Sequence, residues 1–161
     1  MNRDHPENHT IRPAVTSDYP AILELLPQLT DFNVPERRDP THLWQGDAVL
    51  AEQVLQGQAP TSYCDVAVDH HNQLCGLILV TLRPELLSQA ASAHLEAIVV
   101  APQARGQGLG RELLEHAESS AQAHGATSLT LHVFANNQRA RALYDQQGYD
   151  SELIRAIKWL D

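Results

Sequence analysis

Apolar residues recur along the chain with two spacings, which predict helices and strands in turn. Spacings of three and four residues indicate amphipathic helices over residues 18–29, 47–56, 109–124 and 137–147. Runs of β-branched residues or of alternating polarity predict strands over residues 10–15, 61–68, 74–82, 94–100, 128–134 and 153–159. Strands that alternate with helices, with hairpins at each end, predict an α/β domain with three layers around a mixed sheet.

Some elements carry more specific expectations. Pro27 should end or kink the first helix, because proline removes a helical hydrogen bond. We expect a loop over residues 32–46 and a loose connection over residues 83–93. On the second helix we expect Val49, Leu50, Val54 and Leu55 to point inward.

The most informative stretch joins the fourth predicted strand to the third predicted helix. Pro102 ends the strand, and glycines follow at positions 106, 108 and 110 where the helix begins. A helix N-terminus offers unpaired N–H groups and a partial positive charge, and glycine lets a ligand approach closely. The loop, flanked by Arg105 and Arg111, is therefore a candidate phosphate cradle. A glycine-rich turn without a ligand is the alternative.

Two common phosphate-binding motifs do not fit this loop. Arg111 stands where the dinucleotide fingerprint needs its third glycine, and the Gly-Lys-Ser/Thr of a P-loop is absent. The pattern that fits is Gln/Arg-x-x-Gly-x-Gly, here Gln103-Ala104-Arg105-Gly106-Gln107-Gly108. It resembles the acetyl-CoA loop of the GNAT family of N-acetyltransferases. A second block is also similar to that family, namely Asn137-x-x-Ala140-x-x-Leu143-Tyr144-x-x-x-Gly148-Tyr149.

Composition narrows the class of partner. The 161 residues suggest one domain over residues 9–161 behind a disordered polar tail over residues 1–8. A net charge of −9 argues against nucleic acid and is compatible with a cationic amine, although acidity also serves solubility. No apolar run approaches the roughly 18 residues of a membrane span, so we expect no membrane partner and a cytoplasmic location. Cys64 and Cys75 should be buried free thiols, and no metal site is expected.

The resemblance implies a sheet that splays between its fourth and fifth strands, with acetyl-CoA as co-substrate. It implies transfer of the acetyl group to a primary amine by direct attack in a ternary complex. The backbone of Ile98, Val99 and Val100 would pair with the pantetheine arm. The pyrophosphate would be held by Arg105, Gly106, Gln107, Gly108, Leu109, Gly110 and Arg111, and Asn137 would contact the cofactor near its pantetheine or amine end.

The resemblance also implies the catalytic groups. Tyr144 would hydrogen-bond the thioester sulfur as general acid, and Glu96 would act as general base, often through water. By strand alternation Glu96 should share a face with Ile98 and Val100. A core tyrosine and a structural carboxylate are the respective alternatives, and a non-catalytic CoA-binding sensor is the alternative function. The acceptor could be a small molecule or a protein amino group, and homodimers are common in the family.

Overall fold

The computed structural model describes residues 9–161, and the expected tail over residues 1–8 lies outside the described residues. The described strands are β1 (His9–Pro13), β2 (Ser62–Asp69), β3 (Leu74–Pro84), β4 (Ala91–Val100) and β5 (Leu129–Leu131). The α-helices are α1 (Tyr19–Leu25), α2 (Gln45–Leu55), α3 (Leu109–Ala123) and α4 (Gln138–Gln146). This arrangement confirms the predicted α/β class, and no described helix is long and apolar enough to cross a membrane.

The five strands form one open, mixed sheet in the order β1-β2-β3-β4-β5. Neighbours from β1 to β4 run antiparallel, and β5 runs parallel to β4. The β4–β5 pairing covers Ala93 to Leu95 on β4 and ends opposite Leu131. The rest of β4, as far as Val100, has no strand beside it on that edge. The expected splay between the fourth and fifth strands is therefore present.

A bulge interrupts β4 just where the splay begins. Leu79 of β3 pairs with Ala97, but the next residue of β3, Val80, pairs with Leu95. Glu96 is thus the extra residue of β4, without a partner on β3. Bulges bend a strand and redirect the side chain next to them.

This bulge makes one expectation wrong. Ile98 and Val100 pair with Ile78 and Gly76, whose face of the sheet packs on α3, but the alternation of faces is broken at Glu96. Glu96 therefore does not share their face. Its charged neighbours are instead Arg83 of β3 and Asp47 of α2.

The face of the sheet towards α3 is joined to that helix by side-chain hydrogen bonds as well as by apolar contacts. Asp65 of β2 lies 2.8 Å from His116 of α3, and the Tyr63 hydroxyl lies 2.6 Å from Ser120. At Gly76 the helix comes so close that a Cβ atom would lie 2.8 Å from a Leu113 methyl group. These contacts fix α3, and with it the glycine loop, against the centre of the sheet.

The opposite face is covered by α1 and α2, which contact β3 and β2 respectively. Its large side chains are completely or almost completely buried, and they include Val66, Leu77 and Leu79. The expectation that Pro27 ends or kinks the first helix is confirmed, because α1 stops at Leu25 and a 3₁₀ turn over Leu26–Thr30 follows it.

Two expectations about the surface of the domain need correction. Leu50, Val54 and Leu55 of α2 are half-buried and pack against the core as predicted, but Val49 is 56% exposed, and the fully buried residues of the helix are Ala48 and Ala51. Small residues let α2 lie close to its neighbours, so its larger side chains flank the contact. No strand forms over residues 153–159, where the side chains are exposed. β5 is also shorter than predicted and offers little edge for such a strand.

The connection between the third and fourth strands is better ordered than predicted. β3 extends to Pro84 and β4 begins at Ala91, so most of residues 83–93 belongs to a hairpin. The loop over residues 32–46 contains a 3₁₀ turn, Pro40–Leu43, and α2 starts at Gln45. Both predicted free thiols, Cys64 and Cys75, are free and buried.

Gly76→Ala tests the close approach of α3 to the sheet. The added methyl group would also meet the Val99 carbonyl oxygen at 3.0 Å, so we expect the free energy of unfolding to fall by about 1–3 kcal/mol. Gly46→Ala is the matched control, since nothing lies within 4 Å of its Cβ position on α2. Urea denaturation of both variants is the measurement. Equal stabilities would contradict the described packing.

Candidate active site

A cleft of about 600 Å³ runs along the open edge of β4. Its walls come from the glycine loop, α4, the segment before α2 and the residues after β5. Most of the predicted site residues line it, namely Glu96, Ile98, Val99, Val100, Arg105, Gly106, Gly110, Asn137 and Tyr144. Gln107, Gly108, Leu109 and Arg111 do not. The structure thus brings the two sequence blocks together around one cavity.

The backbone of β4 presents alternate residues to this cleft. The Ala101 N–H donates to the Cys75 carbonyl oxygen at 2.8 Å, which fixes the direction of Ala101 towards β3. Backbone polar groups alternate along a strand, so those of Val99 also face β3. Those of Ile98 and Val100 face the cleft, where β5 no longer pairs with them. Val99 lines the cleft, but its backbone groups are directed to β3. They are therefore not available for the pairing with the pantetheine arm that the resemblance implied.

The glycine loop ends at the first turn of α3. Gly108 is the N-cap residue of the helix, with φ of +80°, and Gly106 has φ of +75°. Both values lie in the left-handed region that favours glycine. A Cβ atom on Gly110 would lie 3.5 Å from Leu143 and 3.8 Å from Val100. The first turn of α3 therefore packs next to α4 and the unpaired end of β4.

The two arginines of the loop have different surroundings. Arg105 donates to Asp31, next to the 3₁₀ turn, and to Gln28 at 3.2 Å, and it lines the cleft. Arg105, together with Arg139 of α4 at 3.4 Å, holds the pKa of Asp31 below its ordinary value. Arg111 instead pairs with Glu115 at 2.9 Å, one turn along the exposed surface of α3.

Tyr144 lies on α4 and is buried except for a small part of its surface. Within the described residues its hydroxyl makes no hydrogen bond, yet no buried polar atom there is left without a partner. The hydroxyl is therefore accessible from the cleft. Burial raises the pKa of Tyr144 to about 12, so the phenol keeps its proton at neutral pH. Asn137 caps the same helix by accepting from the Ala140 N–H at 3.4 Å.

Two carboxylates, Glu96 on the bulge of β4 and Asp47 on α2, line the cleft. Glu96 lies 3.9 Å from Arg83 and its side chain is 25% exposed. Asp47, in the first turn of α2, lines the same cleft. Burial, and next to it the charge of Glu96, raises the pKa of Asp47 to about 7. Asp47 was missed by sequence reasoning, because an aspartate in the first turn of a helix is common and gives no signal of a distant partner.

Histidines lie where β4 and β5 separate. His94 shares a hydrogen bond of 2.8 Å with Thr130 of β5, and its ring centroid lies 4.7 Å from that of His132 in the cleft wall. Burial, with help from the Arg83 charge, lowers the pKa of His94 to about 4. The neutral His94 ring therefore helps to hold β4 and β5 together where they pair. The described residues contain no group of three or more histidine, cysteine or acidic side chains that could hold a metal ion.

Comparison with known proteins identifies the family. The model of the acetyltransferase (GNAT) family matches residues 20–149, and the chain belongs to that family. It is 29% identical to the N-acetyltransferase YhfO of Bacillus subtilis over 142 residues, which cover 88% of this chain and 90% of that protein. It is also 29% identical to the peptidyl-lysine N-acetyltransferase YjaB of Salmonella typhimurium over 113 residues, covering 69% of this chain and 68% of that one.

A solved structure has the same fold. AAC(6')-Iy, in complex with the bisubstrate analogue CoA-S-monomethyl-acetylneamine, superposes with a TM-score of 0.70 at 20% identity. The match covers 96% of this chain and 99% of that chain. Together with the family match, these relatives show that the protein is an acyltransferase that transfers acetyl groups.

Proposed function

We propose that this chain transfers the acetyl group of acetyl-CoA directly to a primary amine in the cleft beside β4. The observation that carries this proposal is the early end of the β4–β5 pairing at Leu95. Beyond it, Ile98 and Val100 turn backbone donors and acceptors towards the cleft, where an extended amide chain such as pantetheine can replace the missing strand.

The residues present fit acetyl-CoA. An N–H-rich helix start behind glycines suits a pyrophosphate, and Arg105 lines the same wall of the cleft. The family pattern Gln/Arg-x-x-Gly-x-Gly also fits two residues further along, from Arg105 to Gly110. The geometry supports this placement, because the first glycine is then the N-cap residue of α3 and the second lies next to Leu143 and Val100.

When bound, acetyl-CoA supplies an acetyl group activated as a thioester. The cleft-facing N–H groups of β4 can polarise the carbonyl of that group. The Tyr144 hydroxyl, protonated and accessible, can donate a hydrogen bond to the departing sulfur. The carboxylates near the bulge can receive the proton that an alkylammonium must lose. For an amine with a pKa of about 10.4 that loss costs about 4 kcal/mol near neutral pH.

The acceptor is proposed at the level of a primary amine. One relative acts on peptidyl-lysine, and the structural match carries an acetylneamine analogue. Lysine and neamine both carry cationic amines, which the net charge of −9 would favour, as would the acidic end of the cleft, formed by Asp47 and Glu96. A lysine peptide and neamine are therefore the first acceptors to test.

Arg105→Ala and Arg111→Ala distinguish the two arginines of the loop. Loss of a charge-assisted bond from Arg105 should weaken acetyl-CoA binding by about 10–100-fold. Arg111 lies away from the cleft, so its variant should stay within about threefold of wild type. Isothermal titration with acetyl-CoA measures both. Asp31→Asn serves as a control that releases Arg105, and it should bind at least as tightly as wild type. Equal losses in the two arginine variants would contradict the assignment.

Tyr144→Phe tests the proposed acid. The variant keeps the ring that packs 5.8 Å from Tyr149 but loses the donor at the sulfur. We expect turnover to fall by roughly 10²-fold, with acetyl-CoA affinity unchanged. Release of free thiol from acetyl-CoA, measured with the lysine peptide or neamine, is the readout. Full turnover in the variant would remove Tyr144 from the mechanism.

A further inference from the structure

The two carboxylates at the bulge differ in the partners that the structure gives them. Glu96 has the Arg83 guanidinium at 3.9 Å. Asp47 has no hydrogen-bond or ion-pair partner within residues 9–161, although its place in the first turn of α2 is one where carboxylates often accept backbone N–H groups. Of the two, Asp47 is therefore the carboxylate that is free to take a proton from a group bound in the cleft.

We propose that Asp47 is the catalytic residue that accepts the proton of the incoming ammonium group, and that Glu96, paired with Arg83, helps to hold that group. The proposal rests on the acetyl transfer proposed above and deepens it. It makes the acceptor an amine that arrives in its cationic form. It also gives proton acceptance and binding of the ammonium group to two carboxylates, whereas a single carboxylate on β4 would have to do both.

The proton balance of this step is complete. Asp47 takes one proton from the ammonium group, which leaves a neutral amine with a lone pair. The C–N bond forms as the C–S bond breaks, and the second amine proton ends on the departing sulfur, where the Tyr144 hydroxyl can relay it. Asp47 then returns its proton to water once the product leaves. The net products are the amide, the free thiol and one proton.

The surroundings of Asp47 support this role. A carboxylate with an ordinary pKa near 3.9 is a poor acceptor for an ammonium proton, whereas one raised to about 7 is matched to neutral pH. Burial is the larger cause of that shift and the Glu96 charge is the second. The other ionisable groups that line the cleft or pair with Glu96 are Asp31, Arg38, His42, Arg83, Arg105, His132, Arg139, Tyr144 and Arg155. In the described chain none of them forms a hydrogen bond or an ion pair with the Asp47 carboxylate.

The raised pKa also gives Asp47 a signature in stability that does not depend on turnover. The unfolded chain releases this proton near pH 4 and the folded chain near pH 7, so folding stability declines as pH rises between these values. Asparagine does not titrate and resembles the neutral acid. Asp47→Asn should therefore raise Tm by roughly 3–6 °C at pH 8 and change it less at pH 5.

The matched control is Glu52→Gln on the same helix. Glu52 is exposed, lies outside the cleft and accepts from the Tyr19 hydroxyl at 3.3 Å. It should leave both Tm and turnover close to wild type. If Asp47→Asn lowers Tm at pH 8, or leaves it equal to that of wild type, Asp47 is an ordinary structural carboxylate and the proposal is overturned.

The closing experiment measures kcat/KM for neamine and for a lysine peptide from pH 6 to 9.5, at saturating acetyl-CoA. Asp47→Asn should lose roughly 10²-fold at pH 7 and recover towards wild type at high pH, where the amine loses its proton to water. Glu96→Gln should mainly raise KM for the amine. Full activity of Asp47→Asn at pH 7 would overturn the proposal.

Failure of the proposed acetyl transfer and failure of the proposed role of Asp47 give different results. If acetyl-CoA gives no rise in the Tm of wild type, the proposed function fails at its first step. If acetyl-CoA binds but neither amine is acetylated, the proposed transfer to these amines fails. In both cases the pH-dependent Tm of Asp47→Asn still decides, by its sign at pH 8, whether Asp47 holds a proton near neutrality.

Discussion

The site depends on one interruption of the sheet. β4 pairs with β5 only as far as Leu95, and the bulge at Glu96 falls at the next residue. A strand edge inside a domain carries unpaired donors and acceptors that must find partners. In this fold the edge faces a cleft, so the backbone groups of Ile98 and Val100 are available to the ligand that we propose. The glycine loop, α4 and the acidic end of the cleft lie around that edge.

The same interruption organises the electrostatics. The bulge removes Glu96 from the face of Ile98 and Val100, and the charge of Glu96 then acts on a second carboxylate, Asp47 of α2. Burial, and next to it that charge, raises the pKa of Asp47, which costs stability at neutral pH and suits Asp47 to exchanging a proton there. Structural ion pairs elsewhere contrast with this arrangement. Arg12 binds Asp18 through two hydrogen bonds and lowers the pKa of that carboxyl, as a purely stabilising partner does.

Local sequence signals predicted those parts of the fold that are locally determined. The helix after the glycine loop, the end of α1 just before Pro27 and the helix that begins near Asn137 each follow from residues close in the chain. The alternating residues 153–159 failed as a strand because a strand also needs a partner edge, which β5 does not extend far enough to give. The bulge at Glu96 and the approach of Asp47 arise from pairing across long stretches of chain. No spacing within the sequence carries that information, so the cleft could be predicted and its acidic end could not.

In the complex that we propose, the open edge of β4 binds acetyl-CoA through its backbone. Residue-resolved amide hydrogen exchange by NMR, with and without acetyl-CoA and with ATP as control, tests it most directly. The Val99 amide should already be protected in the free protein, because it faces β3. The amides of Ile98 and Val100 should become protected only when acetyl-CoA is added, and not with ATP. Unchanged exchange at both amides under saturating acetyl-CoA would contradict the account.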